Sequence, residues 1–352
     1  MNEDAKPIRA GEELNATNLK VFLRESLNAE NDEIEISQFP AGSSNLTYLV
    51  KIDDKEFVLR RPPFGNTVKS AHDMKREFDV LEKLSKAYAP APKPLIYSAD
   101  ESIVGSEFYL MERRRGLIIR GKSPEILENS TELQKRICES FIENLVKFHA
   151  LDYKQIGLGD LGKPEGYAQR QIEGWTKRYF DAKTDEQAEL EFAIEWLNEN
   201  VPESSSATLV HNDYKFDNVM LNPDDLTEIT AVLDWEMTTL GDPLMDLGTT
   251  LGYWMSKDAG AEIVSMPFNP RVLMENISRR ELIEMYTEKS GRDVSNILFY
   301  YVFGTIKIAV IAQQIYARFV KGFTQDKRFA KFNFFVNALG KIALEAIERN
   351  KI

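Results

Sequence analysis

Leu209-Val210-His211-Asn212-Asp213-Tyr214-Lys215-Phe216-Asp217-Asn218-Val219-Met220-Leu221 is apolar at both ends and polar in the middle. Thr208–Val210 reads as a short strand that delivers a polar loop, and Val219–Leu221 as the strand that leaves it. Asn222-Pro223-Asp224-Asp225 then supplies turn chemistry, and Ile229–Leu233 is a third short strand. The last two segments therefore pair as a hairpin. Sixteen residues after Asn218 that strand ends at Asp234, in Val232-Leu233-Asp234-Trp235-Glu236. A hairpin sets the start of one strand beside the end of its partner, so the spacing predicts Asn218 and Asp234 as neighbours.

An amide oxygen and a carboxylate at that spacing suit a hard cation such as Mg²⁺. Asp213, on the same loop, is placed to accept a proton from a hydroxyl. Lys215 can reach a transferring phosphoryl group as a point charge. The order H-x-D-x-K-x-x-N, a hairpin and a metal-binding Asp is the layout of a kinase catalytic centre. The plain alternative is a solvated loop with a capping Asp and a turn Asn; Asp234 downstream and the strand-rich segment upstream weigh against it. His211 has two readings, general base or a residue that orders the loop through hydrogen bonds, and the motif favours the second. His149 ends an apolar helix and reads as a packing residue, and His72 as an exposed one.

Upstream, Asn15–Asn28 has the apolar spacing of a short amphipathic helix. Ile34–Phe39, Thr47–Ile52 and Phe57–Arg61 read as strands, with a tight turn at Asp53-Asp54-Lys55. Val68–Tyr88 reads as a helix, ended by Pro90, Pro92 and Pro94. Leu95–Ser98 and Glu107–Glu112 are two more strands. After Arg113-Arg114-Arg115-Gly116 the chain turns helical, with long helices at Leu133–Leu151 and Glu186–Glu199 and a capping box at Ser278 and Glu281. The expected division is residues 1–112, a sheet with one helix, and residues 113–352, a helical region holding the hairpin, with a hinge near 112–116.

Composition narrows the partners. The 352 residues carry 44 Lys and Arg against 56 Asp and Glu, a net charge of −12. That balance argues against nucleic acid, which needs clustered cations, but not against a small phosphorylated ligand. Cys138 is the sole cysteine, which rules out an intrachain disulfide and a cysteine zinc site; it reads as a buried thiol. The start, MNEDAKPIRAGEE, lacks the apolar core of a secretory signal. The apolar run Ile297–Ile306 stops at Lys307, short of a membrane span. No membrane association and a cytoplasmic location are the resulting expectations; the oligomeric state is left open.

These residues resemble the aminoglycoside phosphotransferase-like, or kinase-like, superfamily over about residues 30–350. Within it the chain looks most like the phosphotransferase domains associated with acyl-CoA dehydrogenases. The resemblance rests on His211–Asn218, on Val232–Glu236, and on Leu240-Gly241-Asp242-Pro243-Leu244-Met245-Asp246-Leu247. Phe148-His149-Ala150-Leu151, Ser278-Arg279-Arg280-Glu281-Leu282 and the stretch from Tyr300 through Gly322 add to it. It implies an α+β, bilobal protein-kinase-like fold, with a small antiparallel-sheet N-lobe, a larger, mostly helical C-lobe, and ATP between the lobes.

The resemblance also implies roles. Phe39–Asn45 would cover the ATP phosphates with backbone N–H groups and with Ser43, Ser44 and Asn45. Arg60, in Phe57-Val58-Leu59-Arg60, stands where a kinase has its strand Lys, a departure that still allows bidentate phosphate binding. Strand alternation lets only one of Arg60 and Arg61 face the site, and the pattern favours Arg60. Glu77 matches the helix Glu that pairs with that residue. Tyr109–Arg113, with Met111 and Arg113, looks like the hinge strand that holds adenine. Asp246 looks like the acid that braces the catalytic loop, and Glu236 either touches metal-bound water or is structural. The implied chemistry is transfer of the γ-phosphoryl group of ATP, with Mg²⁺ on Asn218 and Asp234, to a substrate hydroxyl, with Asp213 and Lys215 as catalytic residues. The subfamily points to a hydroxyacyl-CoA or related acyl metabolite. The negative charge instead suits a cationic acceptor such as an aminoglycoside or choline. A pseudokinase scaffold is the non-catalytic alternative, supported only by Arg60. A protein kinase is disfavoured, because Trp-Glu follows Asp234 and no activation loop is evident.

Overall fold

Asp53 and Asp54 both take positive φ, +50° and +59°, the backbone that a two-residue hairpin turn requires. They join β2 (Leu46–Ile52) to β3 (Lys55–Arg61), with Ile52 opposite Lys55. The computed structural model describes residues 4–30, 33–40, 45–64, 73–120, 123–203, 206–255, 269–324 and 326–352. With β1 (Glu35–Gln38), β4 (Pro94–Ser98) and β5 (Phe108–Glu112), these strands form one antiparallel sheet in the order β1-β2-β3-β5-β4. The strand register places Tyr48, Val50, Leu59, Phe108 and Leu110 on one face, where they pack with Leu19 and Leu23 of α1 (Ala16–Leu27). The other face carries Val58, Arg60, Tyr109 and Met111 and receives α2 (Met74–Leu84). α2 starts at Asp73, whose carboxylate accepts the Arg76 N–H at 2.8 Å. It buries Met74, Glu77, Val80, Leu81 and Leu84, the i, i+3, i+4 stripe of an amphipathic helix. Residues 65–72, which include His72 and the expected first turns of this helix, lie outside the described residues.

The chain divides into two compact units. The first is Met1–Arg115 together with Ala231–Glu236, and the second is Gly116–Thr230 with Met237–Ile352. The segment carrying Asp234 thus belongs to the sheet unit, although the sequence expectation grouped it with residues 113–352. In the first unit it is tied by the Val232 N–H donating to the Pro90 carbonyl at 2.9 Å. The Trp235 ring also meets Tyr88 edge to face, 5.9 Å between centroids.

The second unit is helical. After α3 (Glu101–Val104) of the first unit come α4 (Glu125–Glu128), α5 (Thr131–His149), α6 (Tyr167–Ala182), α7 (Ala188–Glu199) and α8 (Pro243–Tyr253). They are followed by α9 (Arg271–Asn276), α10 (Arg279–Ser290), α11 (Ile297–Val320) and α12 (Phe332–Arg349). β6 (Thr208–Val210) pairs with β9 (Thr239–Gly241), a strand the sequence reading did not anticipate, and β7 (Val219–Leu221) with β8 (Ile229–Val232). α8 is buried along its whole length. It crosses α11 where both backbones lack a side chain: a Cβ on Gly304 would stand 2.1 Å from the Gly248 carbonyl oxygen.

The expectation that the apolar run ends at Lys307 is corrected. α11 continues through Lys307 for 24 residues and, by length and composition, is long enough to cross a membrane. Here 78% of its most apolar window is buried inside the protein. A lone lysine does not end a helix whose other faces are covered.

Candidate active site

The His211–Asn218 loop is held on all sides within the second unit. Asp246, fully buried on α8, accepts the His211 N–H at 2.6 Å and the Asn212 N–H at 2.8 Å. Its Oδ2 also meets His149 Nε2 at 3.2 Å, and His149 Nδ1 lies 2.9 Å from the Tyr286 hydroxyl. His149 is buried as expected, yet it is a polar relay rather than mere packing. Burial alone would raise the Asp246 carboxyl; the His149 contact and the loop amides outweigh it and hold the group low.

Asn212 sits at φ +68°, where a residue with a Cβ is strained by about 1–2 kcal/mol and Asn is better tolerated. Every polar group of Asn212 is engaged. The side-chain oxygen accepts from Tyr167 at 2.9 Å, the amide donates to the Met237 carbonyl at 3.0 Å, and the carbonyl accepts from Lys307 Nζ. The next peptide N–H, of Asp213, donates to His211 Nδ1 at 3.2 Å, so His211 orders the loop. Below the loop, Phe141 stacks on Phe216, 4.2 Å between centroids, and the Tyr214 hydroxyl donates to the Phe141 carbonyl at 2.9 Å.

Asp213 is the most heavily contacted acid of the loop. Its Oδ2 accepts from Lys215 Nζ at 2.6 Å and from Asn218 Nδ2 at 2.9 Å, and its Oδ1 accepts from the Tyr253 hydroxyl at 2.9 Å. A carboxylate offers about four lone-pair positions, so among the described residues one remains open, on Oδ1. Burial pushes the Asp213 carboxyl up, but the Lys215 ammonium outweighs it, and Asp213 stays ionised below the usual range. Lys215 is raised in turn: burial opposes its charge and Asp213 more than restores it. Asn218 spends its amide hydrogens on Asp213, leaving Oδ1 without a hydrogen bond among the described residues.

In the first unit, Arg60 is the centre of an acidic group. Its Nη2 lies 3.1 Å from Asp234, 3.4 Å from Glu77 and 3.6 Å from Glu236. Arg61 turns to the opposite face, where it donates to the Val104 and Pro62 carbonyls. Glu77 is 2% exposed; burial raises its carboxyl and Arg60 opposes that rise. Asp234 takes a left-handed backbone, φ +67°, and its Oδ2 makes no hydrogen bond among the described residues. Asn45 donates to Glu236 at 2.7 Å. Ser43 and Ser44 lie outside the described residues. Met111 is buried in β5 opposite Val58, and the Arg113 guanidinium pairs with Glu56 and Asp4 at 2.5 and 2.6 Å.

The donor set fits Mg²⁺. Taken each in its own unit, Asn218 Oδ1 and Asp234 Oδ2 are hard oxygens with no hydrogen bond among the described residues. Among the described residues no group of three or more His, Cys, Asp or Glu forms a metal cluster. Oxygen donors of this kind would suit Mg²⁺, which would supply charge neutralisation to phosphate groups. Cys138 is fully buried, and burial pushes its thiol up, away from reactivity.

Tyr253 and Lys307 were not singled out from the sequence. Tyr253 is 40 positions from Asp213 and gives no local signal. Lys307 did give one, as the only charge between Ile297 and Ala317.

A five-stranded antiparallel sheet with α1 on one face and α2 on the other, followed by a helical body with the H-x-D-x-K-x-x-N loop, defines a kinase-like α+β fold. The chain belongs to the phosphotransferase enzyme family, whose model matches residues 35–266. It is 32% identical over 328 residues to acyl-CoA dehydrogenase family member 10 of Mus musculus, covering 91% of this chain and 30% of that protein. It is 33% identical over 323 residues to acyl-CoA dehydrogenase family member 11 of Gallus gallus, covering 90% and 41%. The chain thus spans about a third to two fifths of the length of these relatives. Among solved structures, a protein of Ralstonia eutropha provisionally assigned as an aminoglycoside phosphotransferase superposes with a TM-score of 0.78 at 26% identity, covering 96% of this chain and 99% of that one. Choline kinase of Cryptosporidium parvum shares the fold, with a TM-score of 0.64 at 14% identity over 96% and 97% of the chains.

Proposed function

We propose that this phosphotransferase-family chain moves the γ-phosphoryl group of ATP, with Mg²⁺, to the hydroxyl of a small molecule. The observation that carries the reading is the setting of Asp213: paired with Lys215, held by three donors, and with one lone pair on Oδ1 left open among the described residues. An acceptor hydroxyl that donates to that position is oriented for attack and can pass its proton to Asp213 as its oxygen bonds to the γ-phosphorus and the bond to the β–γ bridging oxygen breaks, releasing ADP. Lys215 offsets negative charge on the moving phosphoryl group. Arg60 serves the nucleotide phosphates, held by Glu77, which fixes its direction. Asn218 and Asp234 would be the metal donors, and the cation when bound would supply charge neutralisation of the phosphates.

The acceptor we favour is a hydroxylated acyl-CoA or related acyl metabolite. Support comes from the relatives, whose names join this region to acyl-CoA dehydrogenases. The second reading, a cationic acceptor, draws on the net charge of −12 and on neighbours that include a choline kinase and an aminoglycoside phosphotransferase solved with ADP and hygromycin B. A panel of hydroxyacyl-CoAs, choline and aminoglycosides incubated with MgATP and scored for gain of one phosphate by mass separates them. Asp213→Asn is expected to keep ATP affinity and lose transfer by about 10²–10⁴-fold. Wild-type turnover in that variant refutes the mechanism.

A further inference from the structure

We infer that Lys307 is a positioning residue for the base: from α11 it clamps the peptide that joins Asn212 to Asp213, and so fixes the direction in which the Asp213 carboxylate points. The inference rests on reading Asp213 as the base.

The clamp is visible at both ends of one peptide group. The carbonyl oxygen accepts from Lys307 Nζ, across 95 positions of chain, and the N–H donates to His211 Nδ1 at 3.2 Å. This peptide follows Asn212, whose left-handed backbone is the strained step of the loop, and such strain persists only where the surroundings hold it. Without the clamp the carbonyl loses its partner, and the backbone from which Asp213 reaches Tyr253 and Asn218 is less firmly held. Lys307 itself is 2% exposed, and its ammonium stands 5.6 Å from the centroid of Trp175. Among the described residues no carboxylate comes within ion-pair distance of it.

The charged groups facing it are Asp213 and Lys215 from the loop, Asp246 from α8 and Arg178 from α6. Burial lowers the ammonium to about 8, against the pull of Asp213 and Asp246. A leucine or methionine would fill this place in the core without burying a charge. A buried cation spent on one carbonyl costs stability, and the loop geometry is what it secures. Lys307 lies three residues beyond Gly304, so the close approach of α8 and α11 sets its depth.

The test uses the full chain with MgATP, water serving as phosphoryl acceptor, and compares wild type, Lys307→Met, Lys307→Arg and Asp213→Asn. For Lys307→Met the expected result is a kcat at least about tenfold lower, a KM for ATP within about twofold, and an unchanged or higher melting temperature. Amide exchange in residues 211–218 should speed up. The kcat of wild type should fall as pH rises through about 8, Lys307→Arg should move that fall upward, and Lys307→Met should lack it. A Lys307→Met enzyme with kcat within about twofold of wild type overturns the inference. So does a loss of kcat that follows a collapse of melting temperature and is not restored in Lys307→Arg. Should Lys307→Met fail to fold, the pH profiles of wild type and Lys307→Arg decide, and coincident profiles overturn it. If Asp213→Asn retains wild-type hydrolysis, the reading of the base fails; if it is inactive while Lys307→Met is normal, only the role of Lys307 fails.

Discussion

Asp246→Asn changes no shape and removes one charge, and its cost can be worked from three contacts. In wild type the buried carboxylate accepts the His211 N–H at 2.6 Å, the Asn212 N–H at 2.8 Å and meets His149 at 3.2 Å. Hydrogen bonds to a buried charge contribute about 1.5–3 kcal/mol each, and neutral ones about 1. An asparagine oxygen can keep the Asn212 N–H at a loss of about 1 kcal/mol. Its NH₂ then faces the His211 N–H, donor against donor, and leaves that amide orphaned at about 2–3 kcal/mol. His149 can change tautomer and accept from the new NH₂, so it adds little. The sum is about 3–4 kcal/mol. Urea unfolding followed by tryptophan fluorescence, with a slope of about 3 kcal/mol per molar, should show the midpoint drop by about 1 M. Transfer activity should fall as well, since the same amides hold the residues beside Asp213. A midpoint shift below about 0.3 M, or about 1 kcal/mol on that slope, refutes the view that Asp246 is the anchor of the loop.

Arg60→Met leaves Glu77 buried without its cation and should cost about 3–5 kcal/mol in urea unfolding, with KM for ATP raised at least about tenfold; Arg60→Lys should recover part of the stability but not the span to three carboxylates. Gly304→Ala sets a Cβ against the Gly248 carbonyl and should lower stability by at least about 1–3 kcal/mol in a thermal melt. The acid limb of stability has a defined sign. Asp213 and Asp246 have folded-state pKa values depressed below their unfolded values, so the stability they contribute is full above about pH 4 and is lost as pH falls through the folded values. Urea midpoints between pH 6 and pH 3 should therefore fall more steeply in wild type than in Asp246→Asn.

The sheet unit was legible because its strands are short, β-branched and separated by turn residues whose backbone demands are local. The Asp53-Asp54 turn occurs where its chemistry placed it, whereas the connection expected at Asn222–Asp225 runs on to Glu228, whose N–H donates to the Asp225 carbonyl. β9 escaped because Thr239–Gly241 is three residues long and gains its partner, β6, only through the tertiary fold. The face of Arg60 against Arg61 needed the register of β3, which one residue of slip would reverse. The loop residues were readable from their fixed spacing. Tyr253, Tyr167 and Lys307 were not, since they reach the loop from helices far along the chain. A lone charge in an apolar helix was the one cue available for Lys307.

The passage of residues 231–236 into the first unit has a consequence for biosynthesis. Arg115, the last residue of that unit's first stretch, leaves the ribosome 121 residues ahead of Glu236. At about 5–20 residues per second that interval is roughly 6–24 s. During it the nascent sheet must carry Arg60 and Glu77 without Asp234 and Glu236, and without the indole of Trp235 against Tyr88. The earliest-made portion of the chain therefore cannot reach its finished state first. It waits for a short strand from the middle of the message, and a truncated product ending before residue 231 would expose that unfinished patch to chaperones.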